Sequence, residues 1–235
     1  MRGYGQFCPV AQAAEVLAER WTPLVLRELV YGSRRFNDIH RGVPLMSSSL
    51  LVRRLRTLEA AGVVERVARD NGHGHEYVLT TAGEELRPLV ELLGLWGERW
   101  LRREIDDEDA DAALLMWAVR RSVVPRAQPA ERTVVHFRFS DAPPKKRFWW
   151  LVLTPGENAD LCLSDPGHGI DLTVRTDPRT LARIYMGDTG LARALHERAL
   201  GLEGPEHLVR GFPRWFGLSP LARIDRPGRS MARAV

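Results

Sequence analysis

Apolar residues recur at helical spacing in the first part of the chain and at strand spacing in the last. Leu51, Leu55 and Leu58 fall at i, i+4 and i+7 and predict one buried stripe on a helix between Ser47 and Gly62. Ser47 stands where a capping hydroxyl is needed, and Gly62 where a left-handed residue closes a helix. The other side carries Ser48, Ser49, Val52, Arg53 and Arg56, all small or cationic. Taken alone, this is the pattern of any surface helix with a solvated basic face. Downstream, Val63 to Arg69 alternates as a strand does, and Asp70-Asn71-Gly72-His73-Gly74 is a turn cluster. His75 to Leu79 reads as a second short strand, after which Thr80 or Thr81 caps a new helix.

Upstream, residues 10 to 19 predict a short helix with Val10, Ala13, Ala14 and Leu17 inward. Thr22 and Pro23 start a second helix carrying Leu24, Val25, Leu26, Leu29 and Val30, which Gly32 ends. Arg34 to His40 forms a third, with Phe36 and Ile39 buried, and Gly42-Val43-Pro44 turns into the Ser47–Gly62 helix. Two short helices at a turn, a third with polar residues outward, then a ribbon and a further helix, predict a winged helix-turn-helix. Such an arrangement is suited to double-stranded DNA. Thr81 to Arg102 reads as one long helix, with Pro88 bending it or marking a late first turn. Its apolar stripe (Leu86, Leu89, Val90, Leu92, Leu93, Leu95, Trp96, Trp100, Leu101) is wider than one small domain covers. Core packing and self-association are both expected of it.

Glu104 to Asp111 is an acidic run and the clearest boundary. Ala112 to Arg121 follows as a connecting helix, closed by Pro125 and Pro129. The period then becomes two, in Val135-Phe137-Phe139, Trp149-Leu151-Leu153, Leu161-Leu163 and Ile170-Leu172-Val174, with turn residues between. An antiparallel meander with one apolar face is expected, covered by helices at 178–186, 191–200 and 205–215. The fold class is α+β. The expected division is 1–103 for the winged domain, 104–130 for a linker helix, 131–222 for the sheet domain and 223–235 for a basic tail.

Length and charge refine this picture. The 235 residues allow two cores. The net charge of +4 is modest, but its excess gathers between residues 34 and 69. There Arg34, Arg35, Arg41, Arg53, Arg54, Arg56, Arg66 and Arg69 face Asp38, Glu59 and Glu65. Cys8 and Cys162 are far apart and imply neither a disulfide framework nor a zinc site. His73-Gly74-His75 lacks a third metal ligand. No signal peptide or membrane span is read, so the cytoplasm is expected and no membrane partner. Neither a phosphate-cradling loop, a nucleophile elbow nor a zinc-protease helix is present, so no enzyme and no cofactor are expected.

Several segments together carry a resemblance. Cys8-Pro9-Val10, Glu19-Arg20-Trp21-Thr22, Leu26-Arg27-Glu28-Leu29, Arg35-Phe36-Asn37-Asp38, Arg53 to Val64 and Tyr77-Val78-Leu79-Thr80 resemble the HxlR-type winged-helix regulators. The resemblance implies a bacterial transcription regulator, a homodimer placing paired reading helices on a pseudo-palindromic operator. The family usually has longer polar residues where this chain has Ser48, Ser49 and Val52. The later segment Ile184 to Asp188, Leu191-Ala192, Ala194-Leu195 and Leu202 to Pro205 is similar to the closing motif of sterol-carrier-protein-type domains. That likeness implies an apolar ligand held between sheet and helices.

The candidate DNA contacts are Ser48, Ser49, Arg53 and Arg56 at the major groove, and Arg34, Arg35 and Asn37 on phosphates. Arg69, His73 and His75 belong to the wing, while Arg54 is divided between packing and contact. A hydrophobic small molecule in the last domain has Phe137, Phe139, Trp149, Leu151, Leu161, Leu172, Tyr185, Met186 and Trp215 as candidate lining. The same residues read equally well as core. Cys8 precedes a helix, where the dipole and Arg2 favour a thiolate, and the resemblance adds redox sensing; packing as a small hydrophobe is the other reading. A lipid or small-molecule carrier or sensor, dimerised by its winged domain, is the competing function.

Overall fold

The computed structural model describes residues 3–69, 74–101, 105–106 and 110–224. Two units emerge, Met1–Trp96 and Gly97–Val235.

In the first unit, α1 (Pro9–Leu17), α2 (Thr22–Val30) and α3 (Phe36–Gly42) precede α4 (Ser48–Ala60). Strands β1 (Val64–Ala68) and β2 (His75–Leu79) then pair antiparallel, with Val64 opposite Leu79 and Ala68 opposite His75. Val25, Leu26, Leu29, Ile39, Leu51, Leu55, Leu58 and Val90 form the core, which is the winged arrangement expected. Two expectations are corrected. Helix α1 meets the core through Val16 and Leu17 at its C-terminal end, so Val10 is 76% exposed and Ala13 also faces solvent. The long helix from Thr81 is broken into α5 (Thr81–Glu84) and α6 (Arg87–Trp96). Pro88 is the cause, since its ring excludes the carbonyl four residues back, at Glu84, where α5 stops.

In the second unit, α7 (Ala112–Ser122) leads into a five-stranded sheet. Its strands are β3 (Thr133–Phe139), β4 (Phe148–Leu153), β5 (Asp160–Cys162), β6 (Leu172–Thr176) and β7 (Gly201–Glu203), in the order β5-β4-β3-β6-β7. Helices α8 (Pro178–Tyr185) and α9 (Leu191–His196) lie between β6 and β7 in sequence, and α10 (Glu206–Trp215) follows. The expected antiparallel meander is corrected to a mixed sheet. β6 runs parallel to β3, with Val135 opposite Leu172 and Phe139 opposite Thr176. A hairpin from β5 would have put β6 at the outer edge; residues 163–171 instead carry the chain back past β4 and β3. Asp171 fixes the landing, because its N–H donates to the Val134 carbonyl (3.0 Å) and its carboxylate accepts from the Val134 N–H (2.8 Å). The short edge strand β7 went unpredicted.

Val135, Phe137, Phe139, Trp149, Leu151, Leu172 and Val174 share one core with residues of α7, α8 and α10. Helix α7, expected as a linker, therefore belongs to that core through Leu115, Met116 and Val119. Asp111 caps it, accepting from the N–H groups of Ala113 (2.9 Å) and Leu114 (3.0 Å) while pairing with Lys146. Burial acts to raise the Asp111 pKa, but the bonds from Lys146 and the backbone outweigh it and hold the carboxyl below its usual range.

The sheet's other face is not the polar one expected. Val134 and Val152 are buried on it, and the His136 ring stacks on Trp150 at 4.8 Å. His136 Nε2 and Trp150 Nε1 are buried without a hydrogen-bond partner. Burial lowers the His136 pKa and Arg138 adds to this, with Asp165 opposing. A depressed folded-state value means the unfolded chain takes up the proton first as pH falls through the ordinary histidine range. The second unit should therefore lose stability between about pH 7.5 and pH 5, and His136→Phe should flatten that decline. Urea midpoints read by tryptophan fluorescence at the two pH values test this; parallel profiles for parent and variant would disprove it.

Candidate nucleic-acid interface

Helix α4 is built as its sequence directs. Ser47 Oγ accepts from the Leu50 N–H (3.3 Å), and Leu51, Leu55 and Leu58 are fully buried. Gly62, at φ 71°, closes the helix, with its N–H bonded to the Glu59 carbonyl (3.0 Å). A left-handed residue here is nearly free for glycine and strained for any other. The side turned from the core presents Ser48, Ser49, Arg53 and Arg56 to solvent, with Val52 half-buried. No ion pair or hydrogen bond holds the guanidinium of Arg53 or Arg56 among the described residues.

Arg54 does the opposite. Its side chain is buried, pairs with Glu19 at 2.5 Å and donates to the Arg20 carbonyl at 3.3 Å. It clamps α4 to the turn between α1 and α2. That turn is itself strained, since Trp21 sits at φ 77°, with the Arg20 guanidinium over its ring at 5.5 Å. Of the two readings offered by sequence, packing is the one realised.

A second set of contacts sets the approach into α4, and sequence reasoning missed its role. Glu28 is completely buried, yet it pairs with Arg27 (3.0 Å) and accepts from the Ser33 hydroxyl (3.2 Å). Arg27 also donates to the Gly42 carbonyl (2.8 Å), joining α2 to the end of α3. A Cβ on Gly42 would overlap the Glu28 carboxylate, so glycine is required there. His40 Nε2 bonds to the Met46 carbonyl (2.7 Å), fixing the turn itself. The available signal was an acid interrupting the apolar run of α2 beside an arginine.

On the wing, the Tyr77 N–H donates to the Arg34 carbonyl (2.8 Å), leaving the exposed Arg34 side chain outward. Asn37 and His75 are exposed, and His75 Nε2 lies 3.4 Å from an Arg66 nitrogen. Glu76, which sequence reasoning passed over, draws in both Arg35 (3.7 Å) and Arg69 (3.6 Å). Pairs of this kind are worth at most about 1 kcal/mol, so a phosphate can displace them. His73 lies outside the described residues, as does Arg2. Cys8 occupies the N-cap position of α1, half-buried, and its thiol makes no capping bond.

The candidate lining residues fall in the second unit's core. Phe137, Phe139, Trp149, Leu151, Leu172 and Trp215 are buried in one cluster, with Leu161 and Tyr185 packed partly against it. Met186 is half-buried outside that cluster. Trp215 Nε1 is buried there without an acceptor. No cluster of three potential metal ligands occurs among the described residues, and no helix among them is long and apolar enough to cross a membrane.

Residues 16–105 match the model of the HxlR-like helix-turn-helix family, which reaches no further along the chain. The chain is similar to the HTH-type transcriptional regulator YvaP of Bacillus subtilis, at 35% identity over 98 residues, which are 41% of this chain and 91% of that protein. It is also similar to the HTH-type transcriptional regulator sll1512 of Synechocystis, at 36% identity over 101 residues, 43% of this chain and 75% of that protein.

The neighbouring arginines of α4 should separate cleanly in stability measurements. Arg54→Ala leaves Glu19 without its partner and Gly42→Ala displaces a buried carboxylate, so each should cost the first unit about 2 kcal/mol or more. Arg53→Ala should change stability by less than about 0.5 kcal/mol. Urea unfolding of the three variants checks this, and equal losses at positions 53 and 54 would refute the clamp.

Proposed function

Because the chain belongs to the HxlR-like helix-turn-helix family of transcriptional regulators, we propose that it binds a pseudo-palindromic operator as a homodimer, with α4 in the major groove. The observation that carries this reading is the outward side of α4. Its serines are short enough for the backbone to approach the bases, and Arg53 and Arg56 are exposed and uncommitted. Arg34, Arg35 and Asn37 then take phosphates, and Arg69, His73 and His75 serve the wing. Such a regulator meets its operator in the cytoplasm.

Support for a second copy comes from apolar side chains left in solvent. Phe7, just before α1, and Val10, in its first turn, are largely exposed, and Leu92, Leu93 and Trp96 are at least half-exposed on α6. Large apolar side chains left exposed in such number mark an association site. Two copies joined there would present two reading helices about one DNA turn apart.

The second unit is read as a sterol-carrier-like module that accepts a hydrophobic small molecule and thereby modulates the regulator. What favours this is the Trp215 N–H, orphaned within an otherwise apolar core, which a polar atom of a ligand would satisfy.

Arg53→Ala should weaken specific operator binding by about 1–3 kcal/mol, and Leu93→Glu should produce a monomer with correspondingly weak binding. Sedimentation and titration of duplex DNA at several salt concentrations give both readouts. A chain that shows no salt-dependent affinity for duplex DNA, yet co-purifies with an apolar molecule, would overturn the regulator in favour of a carrier.

A further inference from the structure

The parallel pair in the second unit leaves a feature that neither DNA binding nor the apolar core uses. Strands β3 and β6 lie side by side and run the same way, and beyond their ends the chain departs in opposite senses. β3 returns through β4 on one side, while β6 continues into α8 and α9 before β7 closes the other side. Divergence of this kind opens a crevice beyond the carboxyl ends of parallel strands, the usual place for a ligand in open sheets. Here it forms a groove of about 670 Å3, within the size range of small-molecule sites.

The groove is strongly cationic. Arg138, Arg147, Arg175 and Arg198 line it, with Phe148 as an apolar wall and Asp177 as its acidic residue. The Asp177 carboxylate is already engaged as the N-cap of α8, accepting from the Thr180 N–H at 2.8 Å. Arg175 pairs with Glu203 at 2.7 Å, and the Arg138 guanidinium lies over the Phe148 ring at 5.9 Å. Arg147 and Arg198 have no such partner among the described residues. Two arginines without a side-chain partner on the lining of one concavity match an anion of at least two charges.

Arg198 adds an independent sign. Its φ of 57° makes it the left-handed residue that closes α9, where the Ala199 N–H bonds back to the Ala194 carbonyl at 2.9 Å. Glycine takes this position without strain, and a residue with a Cβ takes it at a cost. The arginine is therefore the less favourable residue for the fold at a position that lines the groove. A left-handed non-glycine residue on a cationic wall is an outlier that packing does not call for and that a binding role accounts for.

We infer that this groove binds a small phosphorylated molecule through Arg147 and Arg198, with Arg138 and Arg175 as flanking charges. Its concave shape and the acid in its wall distinguish it from a surface laid along a duplex. The site lies wholly within the second unit, so it stands or falls apart from operator binding.

Titration calorimetry of the full chain with inorganic pyrophosphate and with ATP tests the proposal. The parent should bind at least one of the two. Tighter binding of ATP identifies a nucleotide as the source of the phosphates, and equal binding identifies the bare phosphate group. Arg147→Ala and Arg198→Gly should each weaken binding about tenfold or more. Arg198→Gly should at the same time raise Tm by about 2 °C, because the left-handed strain is relieved. Absence of binding by the parent overturns the inference, as does Arg198→Gly that keeps full affinity or lowers Tm. Competition of pyrophosphate by short duplex DNA through the same arginines would assign the groove to nucleic acid instead.

Discussion

Everything the first unit offers to a partner depends on how α4 is gripped. Three leucines hold one side of it in the core, and Arg54 ties it to the Glu19–Arg20 turn. Successive residues of a helix point about 100° apart. Arg53 and Arg54 thus share a chemistry and have opposite fates: one secures the helix, the other is left free. The Arg27–Glu28–Ser33 set, pressed against Gly42, adds a second fixed point just before the helix begins. The leucine stripe sets which side of α4 faces outward, and these charges fix the helix at two further points.

In the second unit, the decisive constraint is the pairing of β6 with β3. It makes β3 the central strand, sets the core face of Val135, Phe137 and Phe139, and aligns two carboxyl ends beside one another. The arginine groove follows from that alignment. Its four cations come from the end of β3, the start of β4, the end of β6 and the close of α9. Separate segments meet there only because the sheet is mixed.

How much of this was legible in the sequence varies with the range of the interaction. The stripe of α4, its serine cap, Gly62 and the wing strands are local patterns and were read as they stand. Strand positions in the second half were likewise visible from alternation. Their partners were not, since period two says which face a residue takes and nothing about which strand lies alongside. Val10 was read as buried because an apolar residue looks the same whether it meets this chain or another. The broken helix before Pro88 was half-visible, as a bend rather than an end. Glu28 carried a local signal, an acid within an apolar run, but its partners did not; Glu76 and the groove arginines were hidden in the ordinary way of long-range polar contacts, whose members are scattered along the chain.

The Val134–Asp171 contact joins residues 37 positions apart, at the step where β6 is set against the middle of the sheet. While the chain emerges from a ribosome, β3 and β4 can close as a hairpin well before that step, leaving the far edge of β3 bare. An open edge backed by Val135, Phe137 and Phe139 is the kind of surface that aggregates or engages chaperones. The amino-terminal unit has no such delay, since its two strands adjoin in sequence. During synthesis the amino-terminal unit can therefore close while its companion still waits for its last strands.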